Sequence, residues 1–176
     1  MKRMHFGTLL AAFLVAGCGS SKPTEPTPTT PTFSMPLTAA NEVPSIVAPD
    51  TEATCAGSVT IKLNITRDNA QAITAANVDF TANITGCPAT TAITIAHIHE
   101  NVAGQNGSIV VNTGLAAGQV TLVNGAGSFT RNTVPVDAAN FPVIQRILDN
   151  PSGFYFNIHS AAHGGGVVRA QLVRTQ

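Results

Sequence analysis

Between residues 54 and 67 the chain switches polarity at almost every step. Val59, Ile61, Leu63 and Ile65 alternate with Ser58, Thr60, Lys62 and Asn64. A period of two suits a strand with one buried and one wet face, and does not suit a helix. The pattern recurs over residues 73–84, where Val78, Phe80, Ala82 and Ile84 oppose Asn77, Asp79, Thr81 and Asn83. Asp68-Asn69 makes the turn between them. Shorter runs of the same kind lie at 33–37, 94–100, 108–112, 119–123, 127–131, 153–160 and 166–174. Asn124-Gly125 tolerates positive φ at both positions, so a tight hairpin is predicted between 119–123 and 127–131. Only residues 137–150 read as a helix. Val143, Ile144, Ile147 and Leu148 form its apolar stripe, Asp137 or Asn140 is placed to cap it, and Pro142 suits a first turn. Many short strands with one helix predict an all-β fold over residues 33–176: an antiparallel, Greek-key-like β-sandwich with one short helix.

The composition narrows the function classes. Basic and acidic residues balance at nine each. No basic patch and no aromatic-basic interleaving appears, so nucleic acid is not an expected partner. No nucleophile-elbow glycine motif and no phosphate-binding loop is present, and Ser160 is a sequence neighbour of His159 and not placed to face it. Asp50 and Glu52 read as charges in a solvated loop.

The first 32 residues have a different character. Lys2 and Arg3 precede an apolar run, residues 6–15, too short for a permanent membrane span. Leu14-Val15-Ala16-Gly17-Cys18 then resembles the bacterial lipobox. The resemblance implies a signal peptide over 1–17, lipid on Cys18 and attachment to the membrane of a bacterial cell envelope. Gly19 after the cysteine leans toward the outer membrane in a Gram-negative cell. Residues 19–32 are nearly all Ser, Thr, Pro and Gly, a composition that predicts a disordered, semi-rigid tether.

Export brings the two remaining cysteines into an oxidising compartment, which predicts a Cys55–Cys87 disulfide. The alternative, a thiol redox pair or metal ligand, lacks any C-x-x-C spacing in its support.

Four histidines remain beyond the leader. His97 and His99 lie two apart in Thr94-Ile95-Ala96-His97-Ile98-His99-Glu100, so both project from one strand face. His159 ends a second run, whose Tyr155, Asn157 and His159 share a face opposite Phe154, Phe156 and Ile158. If the two strands are neighbours, three imidazoles converge. Imidazoles suit copper, zinc or nickel, and three protein ligands with an open position is also the form of a catalytic site. His163, on the following glycine turn, is the better candidate for a fourth ligand, and Glu42 a remote one. Glu100 points to the wrong face.

Ala96-His97-Ile98-His99, Gly104, Asn106-Gly107, Tyr155-x-Asn157-x-His159, and Gly165-Gly166 with Arg169 and Gln171 together resemble the CHRD (chordin-type) domain. Asn41-Glu42-Val43-Pro44 resembles that family's opening motif. The match runs from about Phe33 to Val173, and the chain departs from the usual pattern at Ser160, Val167 and Ala170. A more distant likeness, a β-sandwich with a His-x-His strand, is to copper-zinc superoxide dismutase, without that family's dense His/Asp zinc loop.

Three readings of the histidine face stand side by side. Glu42, Tyr155, Asn157, Arg169 and Gln171 can satisfy buried imidazoles in a structural polar network. The histidines can hold copper or zinc. The same face can meet a protein or glycan partner in the envelope. The expected function is a membrane-anchored binding module, with a copper-dependent redox enzyme as the alternative.

Overall fold

A computed structural model describes residues 27–176. The leader, Cys18 and most of the tether lie outside the described residues. Nine strands follow in order: β1 Thr27–Thr29, β2 Thr32–Thr38, β3 Ala56–Arg67, β4 Ile73–Thr85, β5 Ile93–Glu100, β6 Ser108–Asn112, β7 Gly127–Pro135, β8 Phe154–Ser160 and β9 Val168–Gln171. Helix α1, Phe141–Asp149, lies between β7 and β8. All pairings are antiparallel, and the hydrogen-bonded path runs β6-β5-β8-β9-β2-β3-β4-β7.

This path curls back on itself. Phe80 of β4 and Phe156 of β8 are far apart along the sheet, yet their rings stack 6.0 Å apart. Two four-stranded halves therefore face each other across one core, joined at the β2–β9 seam. That seam is sparse: one ladder pair, Thr38 with Arg169, and an isolated bridge from Phe33 to Arg174. Pro36, which has no N–H to donate, lies in this seam strand and not in an outer edge. Connections β4–β5, β6–β7 and β7–β8 cross between the halves, which makes the topology Greek-key-like.

The alternating patterns decide the inward faces. Val59, Ile61, Leu63, Ile65, Val78, Phe80, Ala82 and Ile84 are all buried. Ile144 and Ile147 of α1 join the same core. Pro142 lies in the helix's first turn, but neither Asp137 nor Asn140 caps with its side chain; a 3-10 turn, Ala138–Asn140, leads in instead.

Three expectations need correction. Residues 119–123 are not a strand: the segment passes from β6 in one half to β7 in the other and enters the ladder of neither. It is held by burying Leu115 and Val120, and only Val123 bridges to Ala126 around the Asn124-Gly125 turn. Both turn residues do have positive φ, and a Cβ on Gly125 would lie 2.1 Å from the Cys87 carbonyl. The last strand is shorter than its alternation, Val168–Gln171, because its partner ladder with β8 ends there. Finally, the tether does not stay free to residue 32. β1 pairs with the far end of β3 (Thr29 with Ile65) and the Pro31 carbonyl accepts from the Leu63 amide, so the ladder begins before Phe33.

Cys55 and Cys87 form a disulfide, separated by 32 residues, where β3 begins and just after β4 ends.

Candidate metal centre

On β8 every residue is buried, on both faces. An antiparallel sheet ordinarily leaves one face wet. Here the face carrying Tyr155, Asn157 and His159 is covered by loops. The Asn106 side chain donates to the Val43 carbonyl at 2.8 Å, tying the 101–107 loop to the 41–47 loop. The 161–166 turn closes the third side.

Register places the polar side chains in rows across β5, β8 and β9. His97 pairs with Asn157, which pairs with Arg169; His99 pairs with Tyr155, which pairs with Gln171. His159 falls beside an irregularity in the β5–β8 ladder, between the pairs Ala96–Ile158 and Ile93–Ser160. The extra β5 residue there shifts the register, and His159 fits diagonally against His97. The three rings form a triangle with centroids 5.0, 5.5 and 5.8 Å apart. One ring nitrogen of each lies within 4.8 Å of the others. They are 3, 7 and 5 % exposed for His97, His99 and His159.

Two backbone carbonyls decide the ring protons. His99 Nδ1 lies 3.0 Å from the Gly107 oxygen, and His159 Nδ1 lies 2.9 Å from the Gly164 oxygen. A carbonyl only accepts, so each Nδ1 carries the hydrogen and each Nε2 presents a lone pair. His159 Nε2 faces His97 Nδ1 at 3.3 Å, so His97 donates in that contact. His99 Nε2 is buried with no hydrogen-bond partner. Burial lowers the pKa of all three rings, His97 to about 4, with His159 and His99 adding repulsion to it. The cluster is therefore neutral at pH 7, the form in which imidazole binds metals.

The surrounding side chains hold these rings. Tyr155 stacks on His99 with ring centroids 4.8 Å apart, and its hydroxyl accepts from the Gly107 amide at 3.0 Å. Arg169 donates to the Gln105 carbonyl at 2.6 Å and to Asn106 Oδ1 at 3.2 Å. Gln171 donates to the Asn101 carbonyl at 2.8 Å. Asn157 donates to the Gly165 carbonyl at 3.1 Å and makes a long 3.4 Å contact to Glu42. Glu42 is buried, and burial pushes its pKa up to about 7 against the opposing charge of Arg169.

His163 is not in the triangle. Its two ring nitrogens face Glu52 Oε2 at 2.6 Å and Asp50 Oδ2 at 3.1 Å, so neither is left for a shared metal. Glu42 meets Asn157 and no histidine of the triangle among its hydrogen bonds, and Glu100 turns away to pair with Arg146. Glu52 is not a solvated charge: it is buried and also accepts from Ser160 Oγ at 2.6 Å. Burial pushes its pKa up, but the bonds from Ser160 and His163 outweigh this and leave it lowered. Sequence reasoning missed Asp50 and Glu52 because their partners lie more than a hundred residues away. The one available signal was a histidine beside three glycines, a segment that needs an external anchor.

The CHRD domain family model matches residues 33–172, most of the chain. The chain belongs to the CHRD domain family. Comparison with curated proteins and with solved structures gave no match. In this CHRD domain the motif residues Asn106-Gly107, Tyr155 and Arg169 bind the 101–107 loop over the histidines, and on the other side Gly164 and Gly165 supply carbonyls to His159 and Asn157.

Proposed function

We propose that this CHRD domain is a binding module of the bacterial cell envelope that holds one copper or zinc ion between His97, His99 and His159. The observation that carries this reading is the buried, unpartnered Nε2 of His99, directed with two other neutral imidazoles into one place. A buried polar atom left without a partner is costly, and a metal ion would satisfy it. Tetrahedral or trigonal ligation at about 2.0–2.1 Å needs nitrogens roughly 3.3–3.6 Å apart, so the rings would close in by about 1 Å. Gly107 and Gly164 would orient His99 and His159 from behind, as outer hydrogen bonds commonly do for metal-binding histidine.

The near-complete burial of the three rings supports a holding role over a dismutase-like redox enzyme, which needs its substrate to reach the metal. The adjacent cleft of about 420 Å³ is lined by Glu42, Asp50 and His163, not by the three histidines. Lipid on Cys18 would carry the domain at the membrane, with the Pro/Thr-rich segment as its spacer. A protein or glycan partner would meet the covering loops, since Asn157 and Arg169 are themselves buried.

Calorimetric titration of metal-free protein with copper(II) and with zinc(II), beside a His97→Ala/His99→Ala variant, tests the reading. One-to-one sub-micromolar binding lost in the variant is expected. Absence of binding in wild type, with a large drop in variant melting temperature, would make the histidines a structural network.

A further inference from the structure

Apart from the Ala161 amide, which donates to the Ala92 carbonyl, the 161–166 turn is tied to the rest of the molecule through the His163 side chain and the carbonyls it offers to His159 and Asn157. Gly164 and Gly165 have open space where a side chain would be, and glycine backbone is the freest of all. Yet this turn supplies the Gly164 carbonyl that accepts from His159 Nδ1 and the Gly165 carbonyl that accepts from Asn157.

The holding contacts converge on one side chain. His163 faces Glu52 with one ring nitrogen and Asp50 with the other. Ionised carboxylates only accept, so both nitrogens carry hydrogens and His163 is an imidazolium. Ser160 Oγ donates to the same Glu52 oxygen and accepts from the His163 amide at 3.0 Å. Asp50 Oδ1 in turn accepts from the Glu52 amide at 2.8 Å, bracing the 3-10 turn Thr51–Thr54. That turn runs straight into Cys55, which is cross-linked to Cys87. The glycine turn is thus fastened to a covalently fixed point on the other half of the sandwich.

We propose that Asp50, Glu52 and His163 are positioning residues for His159: their clamp holds the Gly164 carbonyl where it keeps His159 in the Nδ1–H form, with Nε2 unprotonated and facing His97. This extends the metal reading by naming what sets its third ligand, but the positioning exists in metal-free protein and is tested there. The clamp depends on His163 being charged. The charged and titratable groups about it are Asp50 and Glu52 from the 50–54 segment and Glu42 from the 41–47 loop. Glu52 foremost, then Asp50, raises the His163 pKa above its usual value. A raised value means the clamp is closed below that pKa and opens as pH rises through it.

The test is two-bond 1H–15N correlation of the imidazole rings in full-length, metal-free protein. In wild type, His159 is expected to show a protonated Nδ1 and a bare Nε2. In Glu52→Gln, and in the milder Asp50→Asn, its two nitrogen shifts should move toward each other as the tautomers mix. His99, held by Gly107, should keep its pattern and serve as the internal control. In wild type, the His159 shifts should move with the same midpoint as His163 on raising the pH. A His159 tautomer unchanged in both variants, or insensitive to the His163 titration, overturns the proposal. Copper and zinc titrations of the same variants should show about tenfold weaker binding. If wild type binds neither metal, the metal reading fails while the tautomer result still decides the clamp.

Discussion

Arg169 sits over the Tyr155 ring, its guanidinium carbon 3.4 Å from the centroid, and Tyr155 in turn lies flat on His99. This three-layer stack is buried, and the same guanidinium reaches out to the Gln105 carbonyl and Asn106 of the covering loop. One side chain thus packs the histidine face and fastens its lid. Lysine retains the charge but neither the planar stack nor the fork. Arg169→Lys should destabilise the domain by about 2–4 kcal/mol in chemical denaturation. The Gly107 amide, bonded to Tyr155, should lose hydrogen-exchange protection beyond the global change.

Glu42 and the histidines pull the pH dependence in opposite directions. The folded-state pKa of His97 is lowered from 6.5 to about 4, so its contribution to stability is present above 6.5 and is lost as pH falls toward 4. Glu42 is raised from 4.5 to about 7, so its contribution is present below 4.5 and is lost as pH rises through 7. Glu42→Gln removes only the second effect. The stability of Glu42→Gln relative to wild type should therefore grow between pH 4.5 and 8, by up to about 3 kcal/mol. Urea midpoints across that range measure it, and parallel curves would show that Glu42 titrates normally.

Gly166 has a φ of +134°, and a Cβ there would lie 2.3 Å from the Asn157 amide and 2.6 Å from Glu42 Oε2. Gly166→Ala should cost about 2–3 kcal/mol from strain and displacement of these buried groups. Gly164→Ala, with open space around it, should stay within about 0.5 kcal/mol. Thermal melts of the pair separate a general intolerance of the turn from the specific clash at Gly166.

The Cys55–Cys87 bond closes a loop that holds all of β3 and β4. Replacing both cysteines with alanine should lower stability by roughly 3–4 kcal/mol on the chain-entropy account. Wild type under reductant should converge on the variant's denaturation midpoint.

The inward faces of β3 and β4 were legible because burial on one side writes itself as alternation. So was the pairing of His97 with His99, since i and i+2 on a strand share a face whatever the strand packs against. Convergence of His159 was legible only as a condition on β5 and β8 being neighbours. What stayed hidden depends on contacts between distant segments. Residues 119–123 alternate like a strand, but their apolar side chains anchor a crossing loop. His163 read as a fourth ligand by its sequence nearness to His159, whereas Glu52 and Asp50 occupy both of its nitrogens. Asp50 and Glu52 looked solvated because nothing in their own neighbourhood says that a glycine turn will be laid against them.

The chain's last residues run beside the start of β2. The Thr32 amide donates to the Gln176 carbonyl, and the Thr32 carbonyl accepts from the Thr175 and Gln176 amides. Thr38, at the other end of β2, is the residue that pairs with Arg169. Six strand steps separate the two ends, roughly 20 Å. Residues 32 and 176 therefore share one pole of the molecule and the loops over the histidines the other. A support that holds the chain from its N-terminal side would present those loops outward, and a short peptide joining residue 176 to residue 32 would yield a circular permutant without disturbing them.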